Sequence, residues 1–185
     1  MKQAPNPTGA PLRVVLFGPE STGKTSLARA LSERLGEPWA PEYVRRFWDE
    51  HSGVIGPGDL DAVARGQVAA EDAALASARR IAILDTDLLA CTVWDDLLFP
   101  GHCPAWVRSE ADRRAASTSL FLLCLTDLPF EPDPQRCFPD PEGRAMCLRV
   151  FREALVSRKL PFVEVSGAQD DRLASALGAV NSLLG

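Results

Sequence analysis

The chain has 185 residues, of which 46% are hydrophobic and 24% charged, so it is long enough to form one domain with a sizeable core. This composition excludes a disordered chain, and neither the 15 prolines nor the 13 glycines recur at the fixed period of a collagen or a solenoid. The net charge of -5 argues against a duplex nucleic-acid partner, because such partners are bound by clustered lysines and arginines.

Cysteine usage and hydropathy indicate the compartment. The 5 cysteines are an odd number without a Cys-x-x-Cys pair, which favours a reducing cytoplasm over a secreted disulfide scaffold. The longest apolar run, residues 120–125, has about a third of the length that a membrane helix needs. We therefore expect a cytoplasmic protein that binds neither membranes nor nucleic acid, and the oligomeric state stays open.

The regular pattern begins at Leu12, after a proline-rich stretch that we interpret as a flexible tail over residues 1–11. Residues 12–17 form a short apolar run that ends at a glycine, which is typical of a buried strand in a parallel sheet. Leucines then recur at every fourth position from Leu27, and Gly36 follows as a helix stop. The chain thus opens with a strand, a glycine-bounded loop and a helix.

The same alternation continues to the end of the chain. Further strands are predicted around Trp39 and over residues 81–84, 120–125 and 162–165. Helices are predicted over residues 42–50, 59–78 and 88–99, from the cap pair Asp140 and Pro141 onwards, and over the last apolar repeat at 173–184. Five strands alternating with helices predict an α/β fold of three layers with a five-stranded parallel sheet, and we expect residues 12–185 to form one domain.

Residues 18–25 read GPESTGKT and match the phosphate-loop pattern G-x-x-x-x-G-K-[ST] between a predicted strand and a predicted helix. The glycines let the backbone curl so that consecutive N–H groups point at phosphate oxygens, and the helix N-terminus adds a favourable dipole. Lys24 is expected to reach the β and γ phosphates of ATP, and the Thr25 hydroxyl to ligate Mg²⁺. The predicted nucleotide-binding residues are Gly18, Glu20, Ser21, Thr22, Gly23, Lys24, Thr25 and Ser26.

Two carboxylates follow the third predicted strand. Asp85 ends the apolar segment 81–84 and is expected to hold Mg²⁺ or its waters beside the phosphate loop. Asp87 is either a second member of that site or the N-cap of the next helix, and both interpretations stay open. We include Asp87 among the catalytic candidates.

The rest of the chain favours a small-molecule kinase among phosphate-loop proteins. The segment 125–127 after the fourth strand lacks the lysine of the guanine motif N-K-x-D, which argues against a GTPase switch. Thr86 stands where hydrolytic motors usually carry a glutamate that activates water. ATP hydrolysis as the purpose of the protein is therefore disfavoured.

A kinase also needs a carboxylate at the acceptor hydroxyl, arginines that neutralise the transferring phosphoryl group, and an acceptor pocket. Glu42, after the second strand, is the candidate carboxylate. Residues 126–141, the proline-rich segment, are predicted to form a lid that carries Arg136, with Arg144 just beyond Pro141. The aromatic candidates for stacking on a flat ring are Tyr43, Trp48 and Trp94.

Four short motifs occur together in this chain. They are the phosphate loop 18–25, the segment PEYVR at 41–45, the triplet DTD at 85–87 with Trp94 further along, and LPFEPDPQR at 128–136. Together these motifs resemble the ribosylnicotinamide kinase domain of the NadR family over roughly residues 12–184. The resemblance implies a P-loop NTPase of the nucleoside or nucleotide kinase type. It also implies ATP-dependent phosphorylation of the ribose 5′-hydroxyl of nicotinamide riboside, giving nicotinamide mononucleotide for NAD synthesis.

The resemblance implies roles for single residues. It makes Asp133 and Arg136 a lid pair, with Arg136 also at the nucleotide and in catalysis. The residues that it places on the acceptor side are Glu42, Tyr43, Arg45, Asp87 and Trp94.

Two positions depart from the family pattern. Pro41 stands where family members can have a tryptophan that stacks on the nicotinamide ring, and Leu98 stands where a further aromatic residue is expected. Trp94 or Tyr43 would then have to take the place of the missing aromatic residues. The chain also lacks segments that correspond to the DNA-binding and adenylyltransferase domains of multifunctional members, so we expect a stand-alone kinase domain.

Several alternatives stay open from the sequence. The acceptor is nicotinamide riboside or another nucleoside or nucleotide, and the rival class is a regulatory P-loop ATPase or nucleotide-binding module. The catalytic base is one of Glu42, Asp85 and Asp87, since all three approach the same phosphoryl region.

Overall fold

The computed structural model describes residues 9–185, so residues 1–8 of the predicted tail lie outside the described part of the chain. Strand β1 (Leu12–Phe17) begins where the apolar pattern begins and occupies the middle of the sheet. Its last four residues, 14–17, are fully buried, since helices cover both faces of the sheet.

The sheet is parallel and has five strands, as predicted. The other strands are β2 (Trp39–Ala40), β3 (Ile81–Asp85), β4 (Leu120–Cys124) and β5 (Phe162–Val165). Their order is β2-β3-β1-β4-β5, and every pairing in the sheet is parallel. Because β1 lies between β3 and β4, the loop that follows β1 is flanked by the segments that follow these two neighbours.

The helices are α1 (Lys24–Leu35), α2 (Tyr43–Glu50), α3 (Leu60–Ser77), α4 (Leu88–Leu98), α5 (Ala105–Ala116), α6 (Pro141–Ser157) and α7 (Gln169–Leu184), with a 3₁₀ turn at Pro57–Asp59. The predicted stop of α1 is confirmed, because Gly36 has a left-handed φ of 63°. The predicted cap of α6 is confirmed as well, since the Asp140 carboxylate accepts a hydrogen bond of 2.8 Å from the Gly143 N–H. Within residues 9–185, no helix combines the length and the apolar content that crossing a membrane requires.

Helix α5 is an element that the sequence analysis did not predict. Its buried face consists of Val107 and small alanines together with Arg114, which forms an ion pair with Asp72 across 2.8 Å. A face of this composition gives little apolar periodicity. The helix is therefore visible only once its packing against α4 is known.

Successive residues of β1 point to opposite faces of the sheet and build two cores. Val14 and Leu16 pack with residues of α1 and α7, whereas Val15 and Phe17 pack with residues of α3, α4 and α6. The Phe17 ring makes an edge contact with Phe151 of α6 at a centroid distance of 5.0 Å. The two cores fix the helices against the sheet and leave the carboxyl ends of the strands free to build a site.

Candidate functional site

The phosphate loop connects β1 to α1, and its part before the helix, residues 18–23, has a backbone that requires glycine at two positions. Gly18 has a φ of 131°, and a Cβ atom at this position would lie 2.7 Å from the carbonyl oxygen of Cys124 on β4. Gly23, at the N-cap of α1, has a φ of 76°. The loop therefore curls tightly into the N-terminus of α1, which is the arrangement that binds phosphate groups.

Lys24 lies inside this curl. Its Nζ donates a hydrogen bond of 2.6 Å to the carbonyl oxygen of Pro19, and the Thr22 hydroxyl donates to the same oxygen across 2.8 Å. The ammonium group is buried, since Lys24 is only 9% exposed. Water therefore screens its positive charge poorly. A triphosphate over the loop would replace the Pro19 carbonyl as the partner of Lys24.

Thr25 and Asp85 meet where the first turn of α1 faces the end of β3. The Thr25 hydroxyl donates a hydrogen bond of 2.6 Å to Oδ2 of Asp85, while Oδ1 is buried and has no hydrogen-bond partner among residues 9–185. Burial, with a further contribution from the charge of Glu42, raises the pKa of Asp85 to about 6. An unpartnered buried carboxylate oxygen beside a hydroxyl fits a Mg²⁺ ion, which takes hard oxygen ligands. These two residues could hold the predicted metal.

Asp87 acts as the N-cap of α4. Its Oδ1 accepts a hydrogen bond of 3.0 Å from the Ala90 N–H, and the residue is only 2% exposed. Burial and the nearby charge of Glu71 raise its pKa to about 7. The geometry supports the capping interpretation, and Asp87 does not lie on the wall of the cavity described below.

Glu42 stands at the start of α2 and faces the strand-end residues. One carboxylate oxygen accepts a hydrogen bond of 3.5 Å from the Thr86 hydroxyl, and the other lies 3.6 Å from Nε of Arg45. Arg45 in turn donates a hydrogen bond of 3.2 Å to the carboxylate of Asp133. Asp133, expected to pair with Arg136, is thus bonded through its side chain to Arg45, and the contact ties α2 to the proline-rich segment.

The buried amide of Gln67 on α3 joins the two segments that carry these carboxylates. Its Oε1 accepts a hydrogen bond of 3.1 Å from the Tyr43 N–H, and its Nε2 donates across 3.4 Å to the carbonyl oxygen of Thr86. Thr86 has a left-handed φ of 76°, which is unusual for a residue other than glycine. Gln67 therefore fixes the start of α2 next to the end of β3. The sequence analysis missed this residue, because a single glutamine within a helix gives no signal.

The proline-rich segment lies over the phosphate loop. The Glu20 carboxylate accepts hydrogen bonds of 2.8 and 2.7 Å from the backbone N–H groups of Cys137 and Phe138. The Ser21 hydroxyl accepts a bond of 3.2 Å from the Arg136 guanidinium, which also donates to the Glu131 carbonyl oxygen. The structure thus brings Arg136 to the phosphate loop, while the side chains of Glu20 and Ser21 hold the segment in place.

Arg172 on α7 is a second residue at the phosphate loop that sequence reasoning missed. Its guanidinium is buried and donates hydrogen bonds to the carbonyl oxygens of Thr22 at 3.1 Å and Leu125 at 3.2 Å, and to the Asp127 carboxylate. It therefore braces the loop from the β5 side of the sheet. Only the three-dimensional neighbourhood of α7 reveals this role.

A cavity of about 640 Å³ extends from the phosphate loop into the space between α2, α3 and α4. At the loop it is lined by residues 20–27 together with Arg136 and Arg172, and Glu42 and Arg45 also lie on its wall. The apolar side chains that line it between the three helices are Val44, Trp48, Ile55, Leu60, Val63, Trp94, Leu98 and Phe99. One space thus reaches both the phosphate loop and an aromatic wall.

The aromatic candidates have different positions. Trp48 and Trp94 line the cavity, and Trp94 is also stacked on Phe138 of the proline-rich segment at a centroid distance of 6.3 Å. Tyr43, expected on the acceptor side, packs instead on Gly66 of α3, where an added Cβ atom would lie 2.0 Å from the ring. In the structure the Tyr43 ring is thus in contact with α3, and its acceptor-side role stays a prediction. Leu98, which stands where a further aromatic residue was expected, lines the cavity, and the aromatic residue Phe99 that follows it lines the cavity as well.

Solved structures of nucleoside and nucleotide kinases share this fold. A NadR protein in complex with NR has a TM-score of 0.74 at 21% identity, covering 95% of this chain and 51% of that one. A NadR protein in complex with NAD and AMP-PNP has a TM-score of 0.72 at 22% identity, covering 94% and 49%. Thymidylate kinase from Candida albicans has a TM-score of 0.64 at 14% identity, covering 94% and 92%. The chain thus spans about half the length of the NadR structures, and the resemblance to that family is confirmed at the level of the fold.

The comparisons also place the chain in a family. No curated protein matches it. The family model AAA_28, described as an AAA domain, matches residues 13–172, which is most of the chain. The P-loop fold, the phosphate loop and this match lead to one conclusion: the chain belongs to the AAA_28 family of AAA domains.

Proposed function

We propose that the protein is an ATP-dependent kinase that phosphorylates the 5′-hydroxyl of nicotinamide riboside and forms nicotinamide mononucleotide. The observation that carries the proposal is the cavity of about 640 Å³, which connects the phosphate loop with Glu42 and with an aromatic wall. A triphosphate donor and an acceptor with a flat ring can share such a space. The motif resemblance and the common fold with NadR structures support this choice of acceptor.

On the donor side, the phosphates of ATP would lie over the N–H groups of the phosphate loop, with Lys24 at the β and γ phosphates. Thr25 and Asp85 would hold Mg²⁺, which when bound neutralises charge on the phosphate oxygens. Arg136, already at the Ser21 hydroxyl, would stabilise the negative charge of the transferring phosphoryl group.

On the acceptor side, the oxygen of the 5′-hydroxyl attacks the terminal phosphorus of ATP. The bond between that phosphorus and the β–γ bridging oxygen breaks, ADP leaves with the bond electrons, and the hydroxyl proton passes to the Glu42 carboxylate. Glu42 suits this role because it lies on the cavity wall, whereas Asp85 is bonded to Thr25 and Asp87 caps α4. The residues contribute mainly orientation and charge stabilisation.

The proposal is tested with a panel of acceptors and labelled ATP. We expect the highest kcat/KM with nicotinamide riboside, and lower values with cytidine, thymidine and thymidylate. A preference for one of these other acceptors would make the protein a kinase of that compound. ATP hydrolysis without any phosphorylated acceptor would favour a regulatory ATPase instead. Lys24→Ala is the control for activity from contaminants, and the exposed Lys159→Ala is its matched variant.

A further inference from the structure

One face of α4 supplies an unusual combination of residues to the cavity. Cys91, Trp94, Asp95 and Leu98 line it at the spacing of a single helical face. Such a face is normally apolar where it is buried, yet Asp95 is a carboxylic acid and the residue is only 7% exposed. Its position within an aromatic and aliphatic wall therefore calls for an explanation.

Asp95 forms no ion pair with any residue of the described chain, 9–185. Arg108 pairs instead with the neighbouring Asp96. It donates a hydrogen bond of 3.0 Å to that carboxylate from one guanidinium nitrogen and a second bond from another. The partner of Asp95 is the Cys103 thiol. Burial, reinforced by this carboxylate, raises the pKa of Cys103 to about 12, so the thiol stays protonated and neutral.

Arg108 acts on Asp95 through its charge alone, because its hydrogen bonds go to Asp96. Asp95 is therefore a partly desolvated carboxylate that has no ion-pair partner among residues 9–185. Burial is also the main cause that raises the pKa of Asp95. The cations that line the cavity bond other groups. Arg45 bonds Asp133 and Arg136 bonds Ser21, while Lys24 and Arg172 bond the carbonyl oxygens of Pro19 and Thr22. A bound ligand with a positive charge would therefore stabilise the carboxylate form of Asp95.

Aromatic rings on the same wall favour the same kind of ligand. Trp48, Trp94 and Phe99 line the cavity together with Asp95. The face of an aromatic ring attracts a cation, most strongly where water is excluded. A carboxylate and several aromatic rings around one apolar space recognise a flat cation better than a flat neutral molecule.

We infer that Asp95 is a specificity-determining residue, which makes the site select an acceptor whose ring carries a positive charge over a neutral ring of the same shape. The inference deepens the proposed function and rests on it for turnover, though not for binding. Nicotinamide riboside has a cationic pyridinium ring, and its reduced form has a neutral dihydropyridine ring with the same substituents. The two compounds differ in ring charge and also in aromaticity, and the comparison of wild type with Asp95→Asn separates the two, because the substitution changes only the response to charge.

The kinetic test compares these two ribosides in the wild type and in Asp95→Asn, which keeps the size of the side chain. We expect the wild type to favour the cationic riboside. The ratio of its kcat/KM to that of the reduced riboside should fall about tenfold or more in Asp95→Asn, mainly through KM. Asp96→Asn is the matched control, because it removes the same charge from the adjacent exposed residue, and it should keep the wild-type ratio. An unchanged ratio in Asp95→Asn would overturn the inference.

A binding test separates this inference from the proposed function. The 1-methylnicotinamide cation and neutral nicotinamide are titrated into the protein, and the indole N–H signals of Trp48 and Trp94 are followed by NMR. The wild type and the charge-retaining Asp95→Glu should bind the cation more tightly, and Asp95→Asn should lose that preference. Cation preference without turnover of either riboside would reject the proposed function and keep the inference. Turnover of a riboside by a wild type that shows no preference for the cation would reject the inference and keep the proposed function. This outcome does not depend on whether Asp95→Asn folds.

Discussion

The Thr25 hydroxyl donates a hydrogen bond of 2.6 Å to the carboxylate of Asp85, which joins the first turn of α1 to the end of β3. The parallel pairing of β1 with β3 places these residues together, since Leu16 is the register partner of Asp85 and the phosphate loop begins two residues after Leu16. The contact therefore depends on strand order as much as on the two side chains.

The Asp85 carboxylate should control the affinity for Mg²⁺. Asp85→Asn removes the charge but keeps the hydrogen-bonding shape, so the Mg²⁺ concentration for half-maximal activity should rise about tenfold or more. The measurement is a Mg²⁺ titration of the initial rate at saturating ATP. Asp49→Asn changes an exposed aspartate and should leave the titration unchanged. An identical Mg²⁺ dependence in Asp85→Asn would remove Asp85 from the metal site.

Glu42 should be the base of phosphoryl transfer. Glu42→Gln cannot accept the hydroxyl proton, so kcat should fall about 10²-fold or more while the KM for ATP changes little. The comparison variant is Glu50→Gln on the same helix, whose carboxylate bonds exposed Arg46. Both are measured by steady-state kinetics. If Glu42→Gln kept near-normal kcat, the proton would have to go to another group.

Arg136 should act on the transition state more than on ATP binding. Its guanidinium lies at the Ser21 hydroxyl, so Arg136→Ala should lower kcat about 10²-fold and shift the KM for ATP by less than about threefold. The exposed Arg149→Ala on α6 serves as the control. Equal losses in ATP affinity and kcat would assign Arg136 to ground-state binding instead.

Two helical glycines should respond in opposite ways to the same substitution. Gly66→Ala drives a methyl group into the ring of Tyr43 and should lower the free energy of unfolding by about 1–3 kcal/mol. Gly178→Ala meets open space within a helix and should raise it by about 0.5–1 kcal/mol. Urea unfolding of both variants tests the packing of α2 on α3, and a stabilised Gly66→Ala would contradict it.

Local signals in the sequence predict much of the fold and the donor site. The run from Leu12 to Phe17, the glycines of the phosphate loop and the stop at Gly36 each determine the conformation of their own segment, and all are confirmed. Strand-end Asp85 could be found in the same way. Its meeting with Thr25 needs only the adjacency of β1 and β3.

The acceptor side was harder to predict, because its residues depend on which helices become neighbours. Gln67 and Arg172 act through partners that are distant in sequence, and the Tyr43 ring packs on α3 at Gly66, which has no side chain. Asp87 was ambiguous since a strand-end aspartate also caps helices well. Asp95 carried no signal until α4 was seen to line the cavity.

The most direct test of the kinase proposal is the stoichiometry of phosphoryl transfer. Purified protein is incubated with ATP, Mg²⁺ and nicotinamide riboside, and the products are followed by ³¹P NMR. The proposal predicts one 5′-phosphate ester of the riboside for each ADP formed. Formation of ADP and inorganic phosphate without that ester would contradict it.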